Sequence, residues 1–388
     1  MTSRTDHRPP TTSHQPRPRP PTAQAGRAGG PRPPDLQKYH SFEIRRRREM
    51  GSGSWSTNVY EAAAGYRARS GASAFQYSDS LRASRPRQSW KAHPDLDPWR
   101  VGLRESRDND EHPESLAISV LFDVTGSMGQ VPRTLQTRLP ELFGLLLRKG
   151  YVQHPQILFG GIGDASCDRV PLQVGQFESD NRMDDQLGAM LLEGGGGGQL
   201  HESYELALYF MARHTATDCF DRRGRRGYLF IVGDELPYSR VVQSQVAAVI
   251  GDRLTERLSV ERILAEVERR YHVYFIIPAG TSHAGDSEVL GTWRALLGER
   301  VLELDDLDAV CETIAVTIGL GEAAIDLDEG LDDLRDVGSA AAVPSVGRAL
   351  ERYSREVAVR GSRSAVVRGS GALDRRIAGA GSRGIVRL

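Results

Sequence analysis

The stretch from Leu116 to Gly129, LAISVLFDVTGSMG, constrains the chain more than any other. An apolar run rich in β-branched residues (Ile118, Val120, Val124), with no charge before Asp123, reads as a buried strand of a parallel sheet. Asp123 closes that strand, and Thr125, Gly126, Ser127 and Gly129 form a turn leading to a helical pattern that starts near Pro132. In open α/β sheets ligands gather outside the carboxyl ends of the strands, and one carboxylate beside two hydroxyls supplies hard oxygen ligands suited to Mg²⁺ or Ca²⁺.

The rest of the chain repeats this alternation. Val131 to Lys149 carries leucines at helical spacing, interrupted by Pro140, where a kink or restart is expected. Gln156–Gly160 reads as a second buried strand and Pro171–Phe177 as an edge strand. Asp184–Glu193 reads as a short helix, followed by five glycines, Gly194 to Gly198, and then by an amphipathic helix from His201 to His214. Tyr228–Gly233 is a strand ending at Asp234; Ser259–Arg270 a helix; Val273–Pro278 a strand. Glu288–Leu297, Val301–Leu304 and Asp305–Leu320 complete the series as helix, strand and helix. The expected architecture is therefore α/β: a doubly wound, mostly parallel sheet with helices on both faces over residues 114–320.

Asp123-Val124-Thr125-Gly126-Ser127 resembles the metal-ion-dependent adhesion site of von Willebrand factor A (vWA) domains, whose pattern is Asp-x-Ser/Thr-x-Ser after the first strand. The resemblance implies that Thr125 and Ser127 ligate the ion directly and that Asp123 holds it through water. Asp234 matches the family's later aspartate, also a ligand through water. The family usually places a threonine in a Gly-Gly-Thr loop between these motifs, whereas this chain has Gly198 followed by Gln199. No side chain is carried over there, and a backbone carbonyl, Gln199 or water is left to fill the position. Asp164, Gly198, Gln199, Glu235 and His283 are expected at the periphery of the site, with Asp164 equally readable as a turn former bonding its own backbone.

Outside this region composition takes over. Residues 1–52 are rich in Pro and Arg with little to bury and are expected to be a disordered basic flank. Residues 53–113 carry scattered aromatics and read as an extended arm packing them on the domain, with a short helix over Tyr60–Arg67. Residues 321–388 read as an acidic linker and a basic low-complexity tail. Across 388 residues, 50 basic and 51 acidic side chains nearly cancel, yet their signs are segregated, so the basic tails are candidates for nucleic acid or for the chain's own acidic segment. Three cysteines without a C-x-x-C pair argue against a disulfide framework or zinc knuckle. No apolar run approaches the ~18 residues of a membrane span, so the expectation is a soluble, cytoplasmic chain.

The resemblance implies a non-enzymatic binding module in which a bound Mg²⁺, Mn²⁺ or Ca²⁺ engages an Asp or Glu of a protein partner. Intracellular relatives commonly serve as adaptors or scaffolds, some beside ATPases. Two other readings start from the same residues: a structural vWA domain with a degenerate metal site, and a Mg²⁺-dependent phosphatase of the haloacid dehalogenase type. The phosphatase pattern needs a second carboxylate two residues after the nucleophile, where this chain has Thr125, which cannot shuttle a proton near neutral pH as a carboxylate does. Deleting residues 1–50 is expected to leave the thermal midpoint nearly unchanged, because that segment has little to bury; a drop of more than ~5 °C in a melting experiment would contradict this.

Overall fold

The computed structural model describes residues 51–126, 128–194 and 200–359. Six strands form the central sheet: β1 (Leu116–Asp123), β2 (Pro155–Ile162), β3 (Leu172–Val174), β4 (Gly227–Val232), β5 (Tyr271–Pro278) and β6 (Val301–Leu304). Their order across the sheet is β6-β5-β4-β1-β2-β3. Every pairing is parallel except that of β3, which runs antiparallel to β2 at the edge. All residues of β1, β2 and β4 are buried, which is why these strands read as continuous apolar runs rather than as alternating ones.

The two faces are filled by different aromatics, as the period of two along a strand requires. On β5, Tyr274 stacks with Phe230 (centroids 4.9 Å apart), while its neighbour Phe275 stacks with Trp293 at 3.8 Å. Trp293 lies on α8 (Ser287–Leu297), which joins β5 to β6, and it meets Tyr204 of α6 (Tyr204–Arg213) edge-on at 5.4 Å. α7 (Val260–Val267) links β4 to β5 and packs on α6. Between β1 and β2 the helical run breaks at Arg138 into α3 (Val131–Thr137) and α4 (Leu139–Phe143). Pro140, in the first turn of α4, has no N–H to continue the earlier helix. α9 (Val310–Gly321) packs against α4.

The segment expected to be an extended arm carries two helices in its first half. It forms α1 (Thr57–Ser70), capped by the Ser56 hydroxyl, and α2 (Gln76–Ser84). Trp55 stacks on Phe143 at 4.5 Å, and the buried Tyr60 hydroxyl donates to the Gln136 carbonyl at 2.8 Å. α1 extends beyond the expected Tyr60–Arg67 because the surrounding alanines favour helix and the domain supplies the apolar contacts a lone helix lacks. Nor does the packed unit stop at 320. Asp326 and Glu329 make a capping box at the start of α10 (Leu327–Asp336), so the expected acidic linker places its carboxylates in a first helical turn, where negative charge is favoured. Residues 343–359 are helical and bury Val346, Leu350 and Tyr353; the Tyr353 and Tyr274 hydroxyls lie 2.6 Å apart. Residues 201–202, expected in a helix, form instead a short strand parallel to Leu236–Pro237. Cys167, Cys219 and Cys311 are free, and among the described residues no helix is long and apolar enough to cross a membrane.

Leu350 provides a test of this extended unit. Leu350→Ala is expected to cost about 2–5 kcal/mol in a denaturant titration, the range for a truncated core leucine, whereas a tail residue would change stability by under ~0.5 kcal/mol.

Candidate functional site

The chain runs outward from β1 through β2 to β3, then returns to the other side of β1 as β4 and continues through β5 to β6. The reversal leaves a crevice at the carboxyl ends of β1 and β4, the place where open α/β sheets collect ligands. Phe122 is in register with Val232, so the next residues on the two strands, Asp123 and Gly233-Asp234, emerge side by side.

Asp123 is fully buried. Its Oδ1 accepts the Thr125 N–H at 2.7 Å, the Thr125 hydroxyl bonds the same carboxylate, and its Oδ2 has no hydrogen-bond partner among the described residues. Asp234 is also fully buried, and its Oδ2 accepts the backbone N–H of His283 at 2.9 Å. His283 thus reaches the site through its main chain. Glu235 is 8% exposed; Trp293 Nε1 donates to its carbonyl at 2.9 Å, while its Oε2 has no hydrogen-bond partner. One carboxylate oxygen from each of Asp123, Asp234 and Glu235 lies within 4.8 Å of the other two.

Two neighbours were not marked by the sequence. Glu202, only 3% exposed, leaves Oε2 without a hydrogen-bond partner and sits on the two-residue strand beside Leu236–Pro237. The buried Tyr204 hydroxyl, likewise unpartnered, backs the end of β4 so closely that a β-carbon on Gly233 would stand 2.1 Å from it. The available signal was an acid, Glu202, two residues before the mostly apolar run Tyr204–Met211, but a charged residue there reads as the exposed start of a helix.

Asp164 belongs to the rim. Its carboxylate accepts from Ser166 N (2.8 Å), Ser166 Oγ (2.5 Å) and the Tyr238 hydroxyl (3.1 Å), the bonding of a turn former. Ser127, Gly198 and Gln199 lie outside the described residues. The residues that follow α5 (Arg182–Gly188) toward the glycine run are held from the N-terminal segment. Ser78 Oγ accepts the Leu192 N–H at 3.1 Å, Arg82 donates to the Leu192 carbonyl, and Arg87 pairs with both Asp168 (2.7 Å) and Glu193 (3.2 Å).

Burial and neighbouring carboxylates raise Asp123, Glu235 and Glu202. Burial pushes Asp123 up to about 7, with Asp234 and Asp168 adding to the rise and the Thr125 bonds opposing it. Burial followed by Asp123 and Asp234 pushes Glu235 up to about 8, and burial followed by Asp123 and Glu235 pushes Glu202 up to about 11. The charges acting most strongly on each of these groups are other carboxylates, so without a cation these acids tend to hold their protons near neutral pH.

No family model matches the sequence, and no curated protein matches it. Solved structures do. They include the pilus adhesin SpaC from Lactobacillus rhamnosus GG, 10% identical over 56% of this chain and 31% of that one, with a TM-score of 0.38. Proximal thread matrix protein 1 from the mussel byssus is 9% identical over 56% of this chain and 48% of its own, with a TM-score of 0.35. The vWF domain of the type V pili tip protein Mfa5 from Porphyromonas gingivalis is 11% identical over 54% of this chain and 96% of its own, also at 0.35. This chain spans less than a third of the length of SpaC.

The raised acids set the sign of the pH dependence. Unfolding returns each to the ordinary carboxylate range near 4, so below pH ~4 both states are protonated and no penalty exists. As pH rises toward 8 the unfolded chain releases protons that the fold retains, and stability falls by roughly 1.4 kcal/mol per group per unit of pKa difference. Melting in EDTA between pH 5 and 8 is expected to show a decline that Asp123→Ala flattens.

Proposed function

We propose that the chain is a protein-binding module whose binding depends on a divalent cation held between β1 and β4, in the manner of a vWA domain. The observation that carries this reading is the pairing of Asp123 with Asp234 at the reversal of strand order, with a buried Asp123 oxygen that lacks a hydrogen-bond partner. The residues present fit a hard cation: two aspartates, the Thr125 hydroxyl and, by the sequence resemblance, Ser127. Mg²⁺ or Mn²⁺ would offset the repulsion among the buried acids and present a coordination position to an Asp or Glu of a partner. Nothing in this scheme calls for a covalent step. On this reading the chain works as an adaptor, and an ATPase is one class of partner the resemblance implies.

Mg²⁺ or Mn²⁺ at about a hundred times its dissociation constant is expected to stabilise the fold by about 2.7 kcal/mol, seen as a raised thermal midpoint. Asp123→Ala removes that response. In EDTA the same variant is at least as stable as the parent, because one of the mutually repelling buried charges is gone. A parent chain whose midpoint is indifferent to millimolar Mg²⁺ and Mn²⁺ would leave the domain purely structural. For the partner, affinity capture is run with Mg²⁺ and with EDTA using both baits; a bound protein retained only by the parent chain in Mg²⁺ meets the proposal.

A further inference from the structure

The Glu235 carboxylate has no role in the scheme above, yet it stands where an ion would be held. It is more than nine-tenths buried, one of its oxygens lacks a hydrogen-bond partner, and the other acids within 4.8 Å of it are Asp123 and Asp234. Its backbone is fixed from the far side by the Trp293 indole, whose ring is stacked on Phe275, so the residue is held against the crevice rather than carried on a free loop. A carboxylate confined beside two others, with no Lys or Arg paired to it among the described residues, is costly to ionise, and either a proton or a positive ion between the acids relieves that cost.

We infer that Glu235 is a direct, internal ligand of the cation, occupying the coordination position that a partner's acidic group would otherwise take. This rests on the cation-dependent reading given above and adds a closed state to it. With Asp123 and Asp234 alone, a divalent ion is neutralised and still accepts an outside carboxylate. With Glu235 as well, three ionised carboxylates around one divalent ion leave a net negative charge, which repels an acidic partner. An incoming Asp or Glu therefore has to replace Glu235, and its own affinity is reduced by the free energy of that exchange.

Mn²⁺ is the probe, because its free form is counted by electron paramagnetic resonance and its bound form reports inner-sphere water through proton relaxation. The full chain is titrated as parent, Asp123→Ala, Glu235→Gln and Glu235→Asp, with circular dichroism in EDTA confirming that each is folded. Glu235→Gln is expected to weaken Mn²⁺ binding by about tenfold or more and to raise the relaxation per bound ion as water enters the vacated position. Glu235→Asp keeps the charge but shortens the reach, and is expected to show raised relaxation with an intermediate affinity. Parent-like affinity and relaxation in Glu235→Gln would overturn the internal ligand while leaving the cation site intact. So would full recovery of both readouts in Glu235→Asp, which would reduce Glu235 to a distant charge. A parent chain that binds no Mn²⁺, or binds it as Asp123→Ala does, would remove the underlying reading as well.

Discussion

Mutual repulsion among buried carboxylates is the constraint around which this fold is arranged. A strand order that reverses between β1 and β4 sets Asp123 beside Asp234, and the turn after β4 adds Glu235. The short strand at 201–202 brings Glu202 to the same crevice. None of these side chains sits in ordinary solvent; Asp123 and Asp234 make Glu235 harder to ionise, and Asp123 and Glu235 do the same to Glu202. The surrounding structure absorbs that cost through a stiff framework: eight-residue strands buried on both faces, and an aromatic layer of Tyr204, Phe275 and Trp293 directly beneath the site. Stacked and edge-on pairs of this kind contribute about 0.5–1.5 kcal/mol each beyond the area they bury. They also restrict how far Glu235 and Tyr204 can retreat from the acids they face.

The segments on either side of the sheet region are part of the same framework. Residues 51–113 lay α1 against α3 and α4 through Trp55 and Tyr60, and their arginines hold Leu192 and Glu193, just before the glycine run. Arg87 is half exposed, yet the carboxylates it pairs with are buried, so the contact neutralises acids that would otherwise add to the charge of the crevice. At the other end, residues 343–359 cover Tyr274 and the aromatic column on the opposite face of the sheet. The site is thus braced from both faces.

Much of this was legible in the sequence, for identifiable reasons. The strands could be read because parallel strands covered on both faces are uninterrupted apolar runs, and β1 and β6 begin and end where the runs do. The break before Pro140 followed from a missing N–H. Asp123 and Asp234 could be set together because both close strands, and strand ends are where such sheets bring side chains into one crevice. The flanking helices were less visible. α1, α10 and the helix over 343–359 gain most of their stability from the surfaces they cover, and composition alone makes them resemble linker. Glu202 was hidden for a related reason, since an acid beside an apolar run signals exposure unless its spatial neighbours are known.

The contact between the Tyr204 hydroxyl and Gly233 ties two positions that lie far apart in the chain into one volume. A β-carbon at 233 has no room while a tyrosine stands at 204, and the same β-carbon becomes affordable only if the ring is shortened or withdrawn. The residue opening the helix and the residue following the strand are therefore sterically coupled in this fold. Adding a side chain at 233 alone forces the strand end that carries Asp234 and Glu235 or the tyrosine to move, so the spacing of the acids depends on a glycine that bears no charge at all.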